Sequence, residues 1–170
     1  DQLGNSTLPL DRTIRRIHRD TGETTTVVEE LAVPRGIVAL DGDLYFADGD
    51  STVRRVDLDT LAVTVVAGEA DTPGSADGTG ADARFHSPAG ITTDGTTLYV
   101  ADRENETVRA VDPVTGQVTT LAGSADEAGT ADGAGADARF SGPAGLTSDG
   151  TYLYLTETGN HTVRRIEIAT

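Results

Sequence analysis

Two ten-residue stretches bring carboxylates and glycines together at a spacing that suits ion binding: ADGTGADARF at 76–85 and ADGAGADARF at 131–140. Each supplies aspartate side chains and backbone carbonyl oxygens, and hard cations such as Ca²⁺ are bound by oxygen ligands of this kind. Neither copy contains the bidentate glutamate that completes a typical calcium loop. A P-loop for phosphate needs a lysine, and the chain has none. Calcium is therefore the one cofactor these stretches suggest, and we otherwise expect none.

The same stretches also fit a structural role, as connections between repeated units. Asp77 and Asp132 each precede a glycine, which favours an Asx-turn whose carboxylate accepts backbone N–H groups. Phe85 and Phe140 would then fill the space between neighbouring units. The arginine of each copy is expected to pair either with a neighbouring unit or with the aspartate two residues before it: Arg84 with Asp82, and Arg139 with Asp137.

A second set of polar residues recurs three times along the chain. In one copy it comprises Asp102, Asn105 and Arg109. A carboxylate before a turn, an amide within it and an arginine beyond it predict a capped turn with a partly buried ion pair. The set is repeated as Asp48, Asp50 and Arg54, and again as Glu157, Asn160 and Arg164.

The sequence contains little that points to catalysis. Its three histidines, His18, His86 and His161, occupy unrelated positions, and no Ser–His–Asp or paired-carboxylate arrangement stands out. We therefore expect a protein that is not an enzyme. The alternative is a fragment of a metal-dependent lyase or hydrolase whose metal ligands lie mostly outside this chain.

Composition excludes several classes of partner. The formal net charge is −15, whereas a nucleic-acid-binding protein needs clustered basic residues to neutralise phosphates. No apolar run approaches the roughly 20 residues of a membrane-spanning helix, so we expect no membrane insertion. The absence of cysteine excludes disulfides and zinc–thiolate sites.

An internal repeat organises the chain. Residues 76–112 align with residues 131–167 without gaps, and 22 of the 37 aligned positions are identical. A third copy occupies 33–68 without the glycine-rich stretch, and a fourth, at 13–28, retains only its second half. A repeat of this length predicts a solenoid, a propeller or another array of similar units.

Each full repeat contains four short β-rich segments separated by turn residues. In the unit at 88–123 they are 90–93, 98–102, 107–112 and 118–123, with glycine-containing turns such as Asp94-Gly95 between them. Four antiparallel strands repeated along the chain predict the blades of a β-propeller. The fold class expected is therefore all-β.

The pattern within each blade resembles the NHL-repeat family of β-propellers. In the unit at 88–123, the resemblance rests on Pro-Ala-Gly-Ile at 88–91, LYVAD at 98–102, Asn105, Val108-Arg109 and GQVTTLAG at 116–123. It extends over nearly the whole chain from about residue 13. It implies four-stranded blades and a surface that binds partners, although related six-bladed rings include lyases and lactonases.

The number of blades is lower than a closed ring requires. A closed propeller has four to eight blades, and this chain provides about three to three and a half. We therefore expect either an excised piece of a longer propeller or a chain that completes its ring with a second copy. The predicted units are a half blade at 13–28, blades at 33–68 and 88–123, an incomplete blade at 143–168, and Gly/Asp-rich connections at 69–87 and 124–142.

Propeller topology places the inter-blade connections and the turns between second and third strands on one face. An acidic face is favourable for a basic partner or a cation. We thus expect a binding or scaffold module with a protein or carbohydrate partner, located outside a bacterial cell, on its surface or in the periplasm. The acidic residues expected on this face are Asp77, Asp82, Asp102, Glu104, Asp132 and Asp137.

Overall fold

The computed structural model describes residues 12–168 and shows an all-β fold, which confirms the predicted fold class. Within those residues, the helical segments are three short 3₁₀ turns, and none is long and apolar enough to cross a membrane. The strands form antiparallel sheets. They are β1 (Ile14–Ile17), β2 (Thr24–Val28), β3 (Pro34–Leu40), β4 (Asp43–Asp48), β5 (Thr52–Val56), β6 (Val63–Gly68), β7 (Gly78–Thr79), β8 (Pro88–Thr93), β9 (Leu98–Asp102), β10 (Thr107–Val111), β11 (Gln117–Gly123), β12 (Pro143–Ser148), β13 (Tyr152–Glu157) and β14 (Thr162–Glu167).

The sheets follow the sequence repeat. We name them half-blade 1 (β1–β2), blade 2 (β3–β6), blade 3 (β8–β11, joined by β7) and blade 4 (β12–β14). Within each blade, consecutive strands pair in chain order. In blade 3 the predicted strands agree with β8–β11 to within two residues at each end, because the turn residues between them leave little freedom in register. Asp94, for example, accepts hydrogen bonds from the N–H groups of Thr96 and Thr97, both at 2.9 Å.

Neighbouring blades pack through a core between their faces. Phe85 is fully buried and belongs to one core cluster with Val53 and Ala67 of blade 2 and Val100 of blade 3. Phe140 occupies the equivalent place between blades 3 and 4. The prediction that these two phenylalanines fill the space between blades is confirmed.

Glycine allows the first strands of successive blades to approach closely. A Cβ atom on Gly36 of β3 would lie 2.6 Å from the carbonyl oxygen of Ala89 and 2.8 Å from the nitrogen of Ile91, both on β8. Gly90 of β8 lies equally close to the backbone of β12. The third residue of the Pro-x-Gly motif is therefore glycine because two backbones meet there.

The two ends of the described array differ from its middle. Half-blade 1 consists of two strands that correspond to the third and fourth strands of a full blade, and it packs on Phe46 and Val56 of blade 2. Blade 4 has three strands among the described residues. Each end thus presents a sheet whose neighbours within residues 12–168 lie on one side only.

Candidate functional site

The connection at 69–87 takes an unexpected route. It leaves β6 at the outer edge of blade 2, and its Gly78–Thr79 segment then pairs as strand β7 with β11, the outer strand of blade 3. Blade 3 therefore has a fifth strand, which the sequence did not predict. The connection continues through a 3₁₀ turn at Gly80–Asp82 and returns to the inter-blade core at Phe85.

Asp77 does not form the expected Asx-turn. Its carboxylate instead accepts a hydrogen bond from the Arg109 guanidinium at 2.7 Å and two from Thr120 of β11, from its N–H at 3.1 Å and its hydroxyl at 3.0 Å. Partial burial disfavours the charged carboxylate, but these hydrogen bonds outweigh it and lower the pKa of Asp77. The aspartate therefore fixes the connection to the next blade.

Arg109 is the centre of this arrangement and is completely buried. It donates to the carboxylate of Asp102 at 2.8 Å, to that of Asp77, and to the backbone carbonyl oxygens of Arg84 (3.0 Å) and Ala76 (3.1 Å). Its guanidinium carbon also lies 5.3 Å from the centre of the Phe85 ring, within the range of a cation–π contact. One side chain thus binds the preceding connection to blade 3, and we call this arrangement the arginine latch.

The turn between β9 and β10 supplies the rest of the latch. Asn105 donates to the Asp102 carboxylate at 2.7 Å and to the carbonyl oxygen of Gly74 at 2.7 Å, and the other oxygen of Asp102 accepts the N–H of His86 at 2.7 Å. Burial raises the pKa of Asp102 to about 6, although the hydrogen bonds from His86, Arg109 and Asn105 favour the ionised form. The capped turn is as predicted, but its ion pair is fully rather than partly buried.

Blade 4 repeats the arginine latch with small changes. Arg164 donates to Glu157 at 3.2 Å and to Asp132 at 2.5 Å, and Asn160 donates to Glu157 at 2.9 Å. Asp132, like Asp77, is therefore part of an ion pair and not of an Asx-turn. The longer Glu157 side chain reaches the same partners that Asp102 reaches in blade 3.

Blade 2 has no glycine-rich connection before it, and its polar residues equivalent to the arginine latch, Asp48, Asp50 and Arg54, are arranged differently. Arg54 pairs with Asp50, which lies within the turn, and with Asp48 at 3.3 Å. Asp48 is buried and accepts the N–H groups of Ala32 and Val33. The sequence analysis did not predict the pair of Asp77 with Arg109. One signal for it was present: an aspartate equivalent to Asp77 occurs only in the repeats that have the glycine-rich connection.

Of the two alternatives expected for Arg84 and Arg139, pairing with the aspartate two residues earlier is wrong. Arg84 pairs with Glu69 at 2.5 Å and not with Asp82, and Arg139 pairs with Glu127 at 2.5 Å and not with Asp137. The aspartates two residues earlier lie in the 3₁₀ turns, where the chain reverses before reaching the arginine. Glu69 and Glu127 lie near the start of their connections, and the fold brings them close to the arginines near the end of the same connections.

The predicted acidic face is only partly formed. Asp102 is completely buried, so its assignment to a partner-binding face was wrong. Asp77 and Asp132 are engaged by arginines. Asp82 lies two residues after Gly80, whose N–H donates to the carbonyl oxygen of Gly116 in the β10–β11 turn. This turn is at the ends of the strands opposite to the β9–β10 turn, so Asp82 lies away from the predicted face. Asp137 occupies the equivalent 3₁₀ turn in the next repeat.

We call the side of the array that carries the turns between second and third strands the 2–3 face. Exposed carboxylates nevertheless lie on this face. Glu104 lies in such a turn and is half exposed. The fourth strands β6 and β11 end beside these turns, because Gly68 pairs with Thr52 and Gly123 with Thr107. The acidic residues that follow these strands, together with Glu104, are Glu69, Asp71, Asp126 and Glu127.

No metal centre is evident in the described part of the chain. Residues 12–168 contain no group of three or more histidine, aspartate or glutamate side chains arranged to hold a metal ion. His18, His86 and His161 are all exposed and belong to different parts of the array. The glycine–aspartate stretches that suggested calcium direct their carboxylates toward arginine or solvent.

Comparison with known proteins agrees with the repeat analysis. No protein-family model matches the chain. A 138-residue stretch, 75% of the chain, is 38% identical to NHL repeat-containing protein 2 of Bos taurus, and the human protein of the same name is 36% identical over 154 residues, or 82% of the chain. The chain therefore belongs to the NHL-repeat β-propeller proteins. It spans about a fifth of the length of these relatives, 19% and 21%.

Solved structures show the same fold. A protein of unknown function from Bacteroides thetaiotaomicron matches 92% of the chain with a TM-score of 0.82 and 26% identity. An auxiliary nutrient binding protein from Bacteroides ovatus matches 91% with a TM-score of 0.77 and 27% identity. The chain corresponds to 42% and 43% of these two structures. It is thus a propeller-like NHL domain that matches part of larger propellers.

Proposed function

We propose that the chain is a non-catalytic binding or scaffold module whose propeller is completed by a second copy or by further blades of a longer chain. The observation that carries the proposal is that blade 4 exposes a face whose equivalent is buried inside the array. Val163 is 70% exposed, whereas its counterpart Val108 in blade 3 is fully buried, and Tyr154 is 36% exposed where Tyr99 is 4% exposed. Apolar residues of this kind favour burial against another blade.

Light scattering on a sizing column, over a range of concentrations, tests how the ring is completed. We expect a dimer that persists on dilution, because two copies bring together enough strands for about six or seven blades. A folded monomer at every concentration would contradict self-association. The missing blades would then have to come from a longer chain.

The 2–3 face is the surface that we propose for a partner, either a protein or a carbohydrate. Its support is the position of Glu104, Asp71 and Asp126 on one side of the array and the overall charge of −15. The likeness to a nutrient binding protein is in keeping with a binding role. A location outside the cytoplasm stays a prediction from the sequence.

A charge-matched pair of variants tests this surface with a lysine-rich peptide as the probe. Asp71→Asn with Asp126→Asn changes the 2–3 face, and asparagine tolerates the positive φ of both positions (57° and 63°). Asp20→Asn with Asp59→Asn changes the net charge equally in turns at the other ends of the strands. We expect the first pair to weaken peptide binding several-fold more than the second at low salt. Equal effects would show that only net charge matters.

A further inference from the structure

The turn between the second and third strands carries asparagine in two blades and aspartate in another. The third strands of blades 2, 3 and 4 contain equivalent arginines: Arg54, Arg109 and Arg164. Four residues before these arginines stand Asp50 in blade 2, Asn105 in blade 3 and Asn160 in blade 4. The two kinds of side chain have nearly the same shape, but an amide nitrogen donates hydrogen bonds, whereas an ionised carboxylate only accepts them. The difference therefore changes what the turn binds and not its size.

The two asparagines bind the same atom of the connection that precedes their blade. Asn105 donates to the carbonyl oxygen of Gly74 at 2.7 Å, and Asn160 donates to that of Gly129, also at 2.7 Å. These glycines begin two equivalent segments, GSADG at 74–78 and GTADG at 129–133. In both segments, the alanine carbonyl oxygen and the aspartate carboxylate accept hydrogen bonds from the third-strand arginine. The asparagine and the arginine of a blade together bind a Gly-x-Ala-Asp-Gly segment.

Blade 2 supplies both carboxylates for its arginine from its own residues. Arg54 pairs with Asp50 and, at 3.3 Å, with Asp48. The connection before this blade, at 29–33, contains no aspartate. Each third-strand arginine of blades 2–4 therefore pairs with two acidic side chains. The second carboxylate comes from the turn when the turn contains aspartate, and from the connection when the turn contains asparagine.

From these observations we infer that the residue at this turn position determines which connection packs on the blade. Asparagine accepts a Gly-x-Ala-Asp-Gly segment, and aspartate excludes it. The segment is the connection that precedes the blade in the same chain, 74–78 for blade 3 and 129–133 for blade 4. This inference goes beyond the proposed function and does not depend on how the ring is completed.

Charge balance gives the physical reason for the selection. An aspartate in place of Asn105 would set its carboxylate against the carbonyl oxygen of Gly74 and would compete with Asp77 for Arg109. Conversely, a Gly-x-Ala-Asp-Gly segment on blade 2 would bring a third carboxylate to Arg54. Buried charges and buried carbonyl groups are costly when they lack a partner. In a chain of similar repeats, this difference keeps each connection with its own blade.

Amide hydrogen exchange of the variant Asn105→Asp, followed by NMR on the intact chain, tests whether the connection stays in place. Two amides report its position: that of Gly80, which donates to Gly116, and that of Thr120, which donates to Asp77. We expect both to exchange about ten-fold or more faster than in the wild type, because the connection loses hydrogen bonds to buried and charged groups.

A compensating pair of substitutions separates this role from simple packing. Asp77→Ala removes one of the two carboxylates from Arg109, and we expect the unfolding equilibrium constant from urea titrations to rise about ten-fold or more. Adding Asn105→Asp supplies a carboxylate from the turn, as Asp50 does for Arg54, and should recover about half of this loss or more. If Asn105 only fills space, the losses of the two substitutions add instead.

Blade 4 allows the same test in a more exposed setting. The Arg164 side chain is 15% exposed and that of Asp132 is 95% exposed, so changes there are better tolerated than around the fully buried Arg109. We expect Asn160→Asp to restore part of the stability that Asp132→Ala removes, with a smaller amplitude than in blade 3. This pair decides the question if Asn105→Asp does not fold.

Gln117→Glu is the charge-matched control for these variants. It adds one negative charge to an exposed side chain of β11 outside the latch, and we expect the connection to stay in place. Unchanged exchange at Gly80 and Thr120 in a folded Asn105→Asp variant, additive losses in both blades, or equally fast exchange in Gln117→Glu would each overturn the inference. These measurements do not depend on self-association, so failure of the inference is distinguishable from failure of the proposed function.

Discussion

At the scale of single residues, the arginine latch explains why a hydrophilic, acidic chain keeps charged groups in its interior. Arg109 and Asp102 are both fully buried, and hydrogen bonds to the remaining polar groups offset the cost of burying such a pair. Asn105, Asp77 and two backbone carbonyl oxygens supply most of these bonds, while the Nε atom of Arg109 has no hydrogen-bond partner among the described residues. The latch therefore specifies which connection lies against which blade.

Breaking the buried pair should destabilise the protein strongly. We expect Asp102→Asn to lower the free energy of unfolding by about 3–5 kcal/mol, because Arg109 remains buried with its charge less compensated. Urea denaturation measures the change. Asp43→Asn is the matched control, since its partner Arg55 is 40% exposed, and we expect it to cost below about 1 kcal/mol. Similar losses for both variants would show that burial of the latch does not matter.

The turn aspartates make stability depend on acid pH. Burial disfavours ionisation of Asp94, but hydrogen bonds from Thr97, Thr96 and Tyr99 outweigh it and lower the pKa to about 2. The unfolded chain, with a carboxyl pKa near 3.8, binds more protons than the folded one between these values. This contribution is therefore complete above about pH 4 and is lost as the pH falls toward 2.

The variant Asp94→Asn should remove this acid dependence. We expect the difference in unfolding free energy between the wild type and the variant to shrink by about 1–2 kcal/mol as the pH falls from 4 to 2. Chemical denaturation at several pH values measures it. A constant difference for Asp94→Asn would refute the assignment.

At the scale of elements, glycine ends the fourth strand of each full blade for two separate reasons. Gly68 has φ +92°, and a Cβ atom there would collide with the carbonyl oxygen of Ser51. Gly42, in the β3–β4 turn, has nearly the same φ, +89°, but open space around it. Comparing substitutions at Gly68 and Gly42 therefore separates the cost of backbone strain from the cost of a steric collision.

Alanine substitutions at these two glycines should differ clearly. We expect Gly42→Ala to cost about 1 kcal/mol, from the positive φ alone. Gly68→Ala should cost about 3 kcal/mol, since the collision requires a backbone shift beside the inter-blade core. Thermal and urea unfolding of both variants measure the difference, and equal costs would mean that the strand end relaxes freely.

At the scale of the whole molecule, the array is held together by close backbone contact between first strands and by the phenylalanines between blades. A Cβ atom on Gly90 would meet the backbone of Ala144 and Leu146. On Gly145, the equivalent position in blade 4, it would meet only the Thr156 side chain. The glycine of this motif therefore lies against a neighbouring backbone within the array, but only against a side chain of its own blade in blade 4.

This difference predicts a variant that affects assembly more than the fold. Gly90→Ala should destabilise the folded chain by about 2–3 kcal/mol, because its Cβ atom would meet backbone atoms. Gly145→Ala should destabilise the fold less, because only the Thr156 side chain has to move, but should weaken self-association ten-fold or more if another blade packs on β12 as β12 packs on β8. Analytical ultracentrifugation measures it. Gly150→Ala, in a turn with open space, is the control, and an unchanged dimer for Gly145→Ala would rule out closure through β12.

The sequence by itself determined the fold class, the strands and the family resemblance, because alternating β-rich segments, turn residues and a repeat of fixed length are local or periodic features. It also located the polar set around Asp102, since those residues lie within eight positions of one another. It did not reveal that Asp77 binds Arg109, or that Gly78–Thr79 forms a fifth strand of blade 3. Those contacts join residues more than thirty positions apart, and only the packing of one blade on the next brings them together. For the same reason, the acidic residues that appeared to form one face were separated by the tertiary structure into buried, arginine-bound and exposed groups.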